Sequence, residues 1–161
     1  MTEYSKTIHL PNTHFSMRAN LSKNEPKWIS FWIQNKIREK KIKKNKGFKK
    51  FILHDGPPYA NGNLHLGHAL NKILKDIINR SFFKLGFDVD FIPGWDCHGL
   101  PIEWKIEEKY RKSGKNKDEV DHLNFRNECR EFAKSWIKIQ SKEFERLGID
   151  CNWDDIYTTM T

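Results

Sequence analysis

The chain has 161 residues, 37% hydrophobic, 13% aromatic and 31% charged, with a mean hydropathy of -0.79. That is enough apolar surface for one modest core, and it excludes wholesale disorder and a membrane-spanning protein, since no apolar run approaches about 20 residues. A formal net charge of +8 and a pI near 9.4 suit work beside phosphates, although a compositional bias to Lys and Asn explains the charge equally well.

The start of the chain carries no apolar signal core and is not an Arg-rich transit peptide. Cys97, Cys129 and Cys151 lie far apart without a CxxC pair, so neither a zinc knuckle nor a disulfide framework is indicated. Reduced thiols in the cytoplasm are the simplest reading.

From Glu25 to Lys44, Trp28 and Trp32 together with Ile29, Ile33 and Ile37 repeat at four-residue spacing. This predicts one amphipathic helix with Pro26 in its first turn, a tryptophan stripe in the core and a lysine-rich, solvated end. Gly47 breaks the pattern, and Phe51, Ile52 and Leu53 read as a buried strand. "HDGPPYANGN" then carries too many Gly, Pro and Asn residues to be anything but a loop. Leu66, Leu70, Ile73, Leu74, Ile77 and Ile78 fall on one face of a helix from about His65 to Leu85, which Gly86 stops. "FDVDFI" follows as a second strand. Strand, helix and strand in so short a span imply a right-handed parallel crossover, an α/β arrangement.

The second Gly/Pro loop, "PGWDCHGLP", leads into a short helix beginning near Pro101. The charged stretch "RKSGKNKDEVD" separates it from a last helix, with Asn124 as N-cap and Gly148 as stop, before an extended end. No repeat or linker splits the chain. Residues 1–48 read as an N-terminal extension and 49–161 as the first half of a nucleotide-binding domain.

In "GPPYANGNLHLGH" a glycine-rich turn leaves a strand and feeds a helix N-terminus, where N–H groups and the helix dipole favour an anion. Such a loop, at the C-terminal end of a parallel strand, is where open α/β sheets bind ligands. His65 and His68, three apart, project on one side, and Gly67 leaves room for a flat base against backbone. The spacing is neither GxGxxG nor a P-loop. A bare His-x-x-His also fits a surface pair or a metal pair, but no carboxylate or cysteine stands at ligand spacing beside it. His54 and Asp55 fit either a catalytic role or simple bonding to the loop, and Cys97 beside His98 fits packing better than reactivity.

"HLGH" resembles the HIGH signature of class I aminoacyl-tRNA synthetases. The longer "HDGPPYANGNLHLGHALNKILKDII" together with "GWDCHGLPIE" looks like the isoleucyl branch of that family. The resemblance runs from about Tyr4 to Met160 and includes "LP.T.F.MR..L" near the start and "CREFA" at Cys129. Valyl and leucyl branches differ in both loops. A HIGH-type nucleotidyltransferase would not need the second motif, and a non-catalytic nucleotide- or RNA-binding fragment remains an alternative.

The resemblance implies a Rossmann-like catalytic domain that joins L-isoleucine to ATP, supplied as its Mg2+ complex, and passes the acyl group to tRNA(Ile). It assigns His65 and His68 to catalysis at the phosphates. Gly56, Pro58, Tyr59, Asn61, Gly62 and Gly67 join them in binding ATP, while Pro57, Trp95, Asp96 and His98 belong to the amino-acid pocket. It implies a monomeric full-length enzyme, with no metal site in this segment and any zinc in a C-terminal part. The second half of the nucleotide fold, the Lys-Met-Ser-Lys-Ser loop, the editing domain and the anticodon-binding helices would lie past Thr161, leaving these residues inactive by themselves.

Overall fold

Residues 3–161, apart from 10–12 and 15, are described by a computed structural model; Leu10, Pro11 and Phe15 of the N-terminal pattern lie outside the described residues. The predicted single helix is two, α1 (Leu21–Gln34) and α2 (Ile37–Asn45), separated by Lys36 in the left-handed region at φ 50°. Asn35 stands at the break. Its side-chain amide joins its backbone N–H on the Phe31 carbonyl, at 2.9 and 3.0 Å, closing the last turn, and the Lys36 N–H then tightens to the Ile33 carbonyl at 3.0 Å. Pro26 sits inside α1 rather than in its first turn, because the helix begins earlier, behind Asn20. The tryptophan stripe is not core either: Trp28 is 58% exposed, and Trp32 packs beside the Arg80 guanidinium.

Strand β1 (Lys50–Phe51) pairs in parallel with β2 (Asp88–Val89), and α3 (Leu66–Lys84) is the crossover between them. The register places Phe51 opposite Val89. Phe51 stacks on Phe82 of α3 at 3.6 Å between centroids, which seats the helix on the strand. The strand is shorter than its apolar run predicts, and Ile52 points outward, 77% exposed.

A second parallel pair joins β3 (Gly94–Trp95) to β4 (Tyr157–Thr158). Between them run α4 (Leu100–Lys112), a short 3-10 turn at Lys117–Glu119 and α5 (His122–Arg146). The N-cap of α5 is Asp121, not Asn124; the Asp121 carboxylate accepts the Asn124 N–H at 3.1 Å, as an N-cap does with the third helical residue. Gly148 closes α5 at φ 76°. The main core gathers Phe91, Trp95, Ile102, Ile137 and Phe144 between α4, α5 and the β3 strand.

Helix α3 is inverted relative to that core. Its buried residues are Lys72, Asp76 and Asn79, whereas Leu66, Leu70, Leu74 and Ile77 face outward. Part of the polar face finds specific partners: Asp76 accepts from Arg80 at 2.7 Å and from the Asp150 N–H at 3.0 Å, whereas the buried Asn79 amide makes no side-chain hydrogen bond. Among the described residues no helix is long and apolar enough to cross a membrane.

Candidate functional site

The N-terminus of α3 is organised by its own histidines. His65 is the N-cap, and its Nδ1 accepts from the N–H groups of Gly67 at 3.1 Å and His68 at 3.3 Å. His68 reciprocates, its Nδ1 accepting the His65 N–H at 3.3 Å, and the two rings stack at 3.7 Å between centroids. The arrangement is a capping box built from imidazoles. Two of the N–H groups that sequence reasoning left open for an anion are therefore taken by His65. A neutral imidazole whose Nδ1 accepts carries its proton on Nε2, so both rings keep one outward donor. Burial, the neighbouring His65 and the Lys72 charge all push the His68 pKa below 6.5, which favours that neutral form. A Cβ at Gly67 would crowd the same box, 3.0 Å from the His65 Cε1.

The two predicted motifs meet. Asp96 donates its N–H to the Pro58 carbonyl at 2.8 Å, and the Ala60 N–H donates to the Asp96 carbonyl at 3.0 Å, a parallel bridge at Tyr59. Residues 56–62 are thereby held against the end of β3. Pro57, Pro58, Asn61 and Gly62 are half-buried in this loop, while Gly56 and Tyr59 stand exposed. The Asp96 carboxylate is oriented by Thr159, whose hydroxyl accepts the Cys97 N–H and donates to Asp96 Oδ1, both at 2.9 Å. Exposed His98 brings its Nδ1 to 3.6 Å from the same oxygen. Trp95 is placed differently from its expected lining position: it is fully buried, its indole N–H donating to Gln140 at 2.8 Å, so it forms the floor beneath the loop.

Several supporting residues escaped sequence reasoning. Gln140 of α5 also donates to the carbonyls of Tyr59 and Gly62, and Glu143 accepts from Leu64 N–H and the Asn63 amide. Gln140 carries a usable signal, a polar residue in phase with Ile137 and Phe144 on the apolar face of α5. Asp55, four residues past β1, is 1% exposed and bound to Lys72 and Lys75. His54 is exposed, its ring tilted against Tyr157.

Burial favours the protonated form of all three thiols. It pushes Cys97 and Cys129 up to about 11, and Cys151 higher still. Among the described residues no cluster of three or more His, Cys, Asp or Glu stands ready for a metal ion. A cavity of about 560 Å³ opens beside Cys97, His98 and Thr159, walled by Ile102, Phe125 and Arg126.

A parallel strand–helix–strand crossover, with a capped helix and two loops gathered at the strand ends, defines a Rossmann-like nucleotide-binding fold. A family model for class I tRNA synthetases (I, L, M and V) matches residues 27–161, and the chain belongs to that family. It is 60% identical to isoleucine--tRNA ligase of Agrobacterium fabrum, over 98% of this chain and 16% of that relative. The corresponding ligases of Brucella abortus and Ruegeria pomeroyi are 58% and 57% identical with the same coverage. The chain thus spans about 16% of the length of these curated relatives. The fold is similar to that of a LeuRS from Agrobacterium radiobacter K84, solved as a ternary LeuRS-tRNA-LeuAMS complex, with a TM-score of 0.63 and 24% identity over 89% of this chain and 16% of that one.

Proposed function

We propose that these residues form the ATP- and amino-acid-binding part of an isoleucine--tRNA ligase, which activates L-isoleucine to isoleucyl-adenylate and transfers it to tRNA(Ile) in the cytoplasm. The observation that carries the reading is the pair of backbone bonds between Asp96 and Pro58–Ala60, which sets a carboxylate against the loop leading into the histidine-capped helix. The high identity to isoleucine--tRNA ligases favours this branch over the valyl and leucyl ones.

In the activation step the isoleucine carboxylate attacks the α-phosphate of ATP and pyrophosphate leaves. The attacking and leaving groups need orientation, and the charge growing on phosphate oxygens needs fixed donors. The Nε2–H groups of His65 and His68 supply two such donors, preset by the capping box. The isoleucine carboxylate itself forms the new bond to phosphorus as the bond to pyrophosphate breaks, so no covalent enzyme intermediate is required, and both imidazoles donate without giving up a proton. ATP would be bound as its magnesium complex, in which the ion would offset part of the polyphosphate charge. Asp96, held by Thr159, pairs with the substrate ammonium, Pro57 lines the side-chain cavity and His98 borders it. Gly56, Pro58, Tyr59, Asn61, Gly62 and Gly67 shape the approach of the nucleotide.

The test is isoleucine-dependent ATP–pyrophosphate exchange on the complete polypeptide. His68→Ala slows exchange roughly 10²-fold, as loss of one preorganised donor does, with little change in isoleucine binding. Asp96→Ala abolishes isoleucine binding while ATP still binds. Equal, negligible effects of both substitutions would overturn the reading.

A further inference from the structure

Asp55 and Lys72 are buried to 1% and 2% exposure, an ion pair taken almost wholly out of water. Such pairs are poor sources of stability, because desolvation offsets the attraction and an apolar replacement of equal volume is often neutral or better. Lys72 is costly in this way even with its partner: burial pulls its pKa down against the opposing effect of Asp55. The ammonium is also boxed by the rings of Phe144, Phe91 and Trp95, at 5.2, 5.6 and 5.9 Å from their centroids. A pair retained at that cost calls for a role other than stability.

The connections supply one. Asp55 stands immediately before the Gly56–Gly62 loop. Its Oδ2 accepts from Lys72 and from the Gly94 N–H at 3.0 Å, its Oδ1 from Lys75 at 2.7 Å, and its backbone carbonyl from the Tyr157 hydroxyl at 2.6 Å. Lys72 lies one helical turn beyond His68 on the same side of α3. Gly94 is two residues before Asp96 on β3, and Tyr157 is two before Thr159, which orients Asp96. One residue therefore ties these parts together: the Asp55 carboxylate joins the histidine helix to β3, and its backbone carbonyl, at the start of the nucleotide loop, holds Tyr157 of β4.

We propose that Asp55 and Lys72 are a positioning pair that fixes the His65–His68 end of α3 relative to Asp96, and so sets the line between the isoleucine carboxylate and the α-phosphate. This rests on the reading of the two motifs as ATP and amino-acid sites. Neither side chain touches a reacting group; both act through residues that do. In-line transfer is sensitive to such placement, since a misplacement of about 1 Å costs on the order of 10²-fold in rate.

The experiment uses the complete polypeptide, with pyrophosphate-exchange kcat normalised to titrated active sites, KM for ATP and for isoleucine, and the melting temperature. Asp55→Asn and Lys72→Met are expected to lower kcat roughly 10²-fold with both KM values within a few-fold of wild type, and the double variant to lose no more than either single one. Lys72→Arg, whose guanidinium still reaches the carboxylate, restores most of the rate. Tyr157→Phe removes one hydroxyl outside the pair and lowers kcat about 10-fold at unchanged KM; it decides the matter if either pair variant fails to fold. A melting temperature that falls while kcat per active site stays at wild type overturns the proposal and leaves the pair purely structural. Wild-type protein without isoleucine-dependent exchange overturns instead the functional reading beneath it.

Discussion

His65 and His68 cap one another: each Nδ1 accepts a backbone N–H from the other residue, at 3.3 Å in both directions, with the rings stacked between them. Protonation of His68 removes the lone pair that receives the His65 N–H and places a second positive charge close to Lys72. Because the folded His68 pKa is depressed, the folded protein binds fewer protons than the unfolded chain between that lowered value and 6.5. The stabilisation is therefore intact above 6.5 and lost as pH falls through the folded value. The acid limb of pyrophosphate exchange is expected below pH 6.5, and a limb centred above it would show that His68 is not neutral by design.

Gly94 admits no side chain. A Cβ there would lie 2.1 Å from Cζ of the Tyr157 ring, inside any van der Waals contact. Gly94→Ala is expected to destabilise the protein by about 1–3 kcal/mol, the usual cost of overpacking, as measured by urea unfolding. Adding Tyr157→Ala should recover part of that loss, because the two residues share one space and their effects cannot be additive. Simple additivity would mean that the strands do not approach as closely as described.

Gln140 satisfies three groups at once, the Trp95 indole and the carbonyls of Tyr59 and Gly62. Gln140→Leu strands all of them at a fully buried position, an expected loss on the order of 3 kcal/mol, accompanied by a higher KM for ATP as the loop loosens. Gln140→Glu keeps an acceptor for Trp95 but turns a buried carboxylate toward two carbonyl oxygens, so its stability should fall at least as far as that of Leu. A Leu variant with wild-type ATP KM would detach this glutamine from the loop's function.

The outward face of α3 gives a simpler test. Leu66, Leu70, Leu74 and Ile77 are each more than half exposed, an apolar stripe wide enough to bind dyes and other proteins. Expressed by itself, the 161-residue chain is expected to bind ANS and self-associate, as followed by fluorescence and sedimentation. A sharp, cooperative melt as a soluble monomer would count against it.

What sequence made legible was local. The apolar spacing of α3, the Gly/Pro loop before it and the Gly148 stop all depend on residues a few positions apart. The break between α1 and α2 is local too, but it falls where one amide, Asn35, adds its side chain to the Phe31 carbonyl at the last turn, and periodicity does not register that bond. The support of the site was out of reach for another reason. Asp55 finds its partners 17, 39 and 102 residues onward, at Lys72, Gly94 and Tyr157. Spacing rules carry no information about contacts at those separations. The burial of Lys72 in place of the leucines beside it likewise follows from where α3 is seated and not from its own pattern.

Strand β3 receives β4 from the far end of the chain, and the Asp96 carboxylate receives its Thr159 hydroxyl 63 residues after it has been made. On a ribosome adding about 5–20 residues per second, that interval is roughly 3–13 s. For those seconds the histidine cap, whose bonds are all local, can already form, while the loop still awaits Gln140 and the Asp96 carboxylate is still unaimed. The order of synthesis therefore makes the aim of Asp96 the last feature of this site to be set, waiting on the second parallel pair to close.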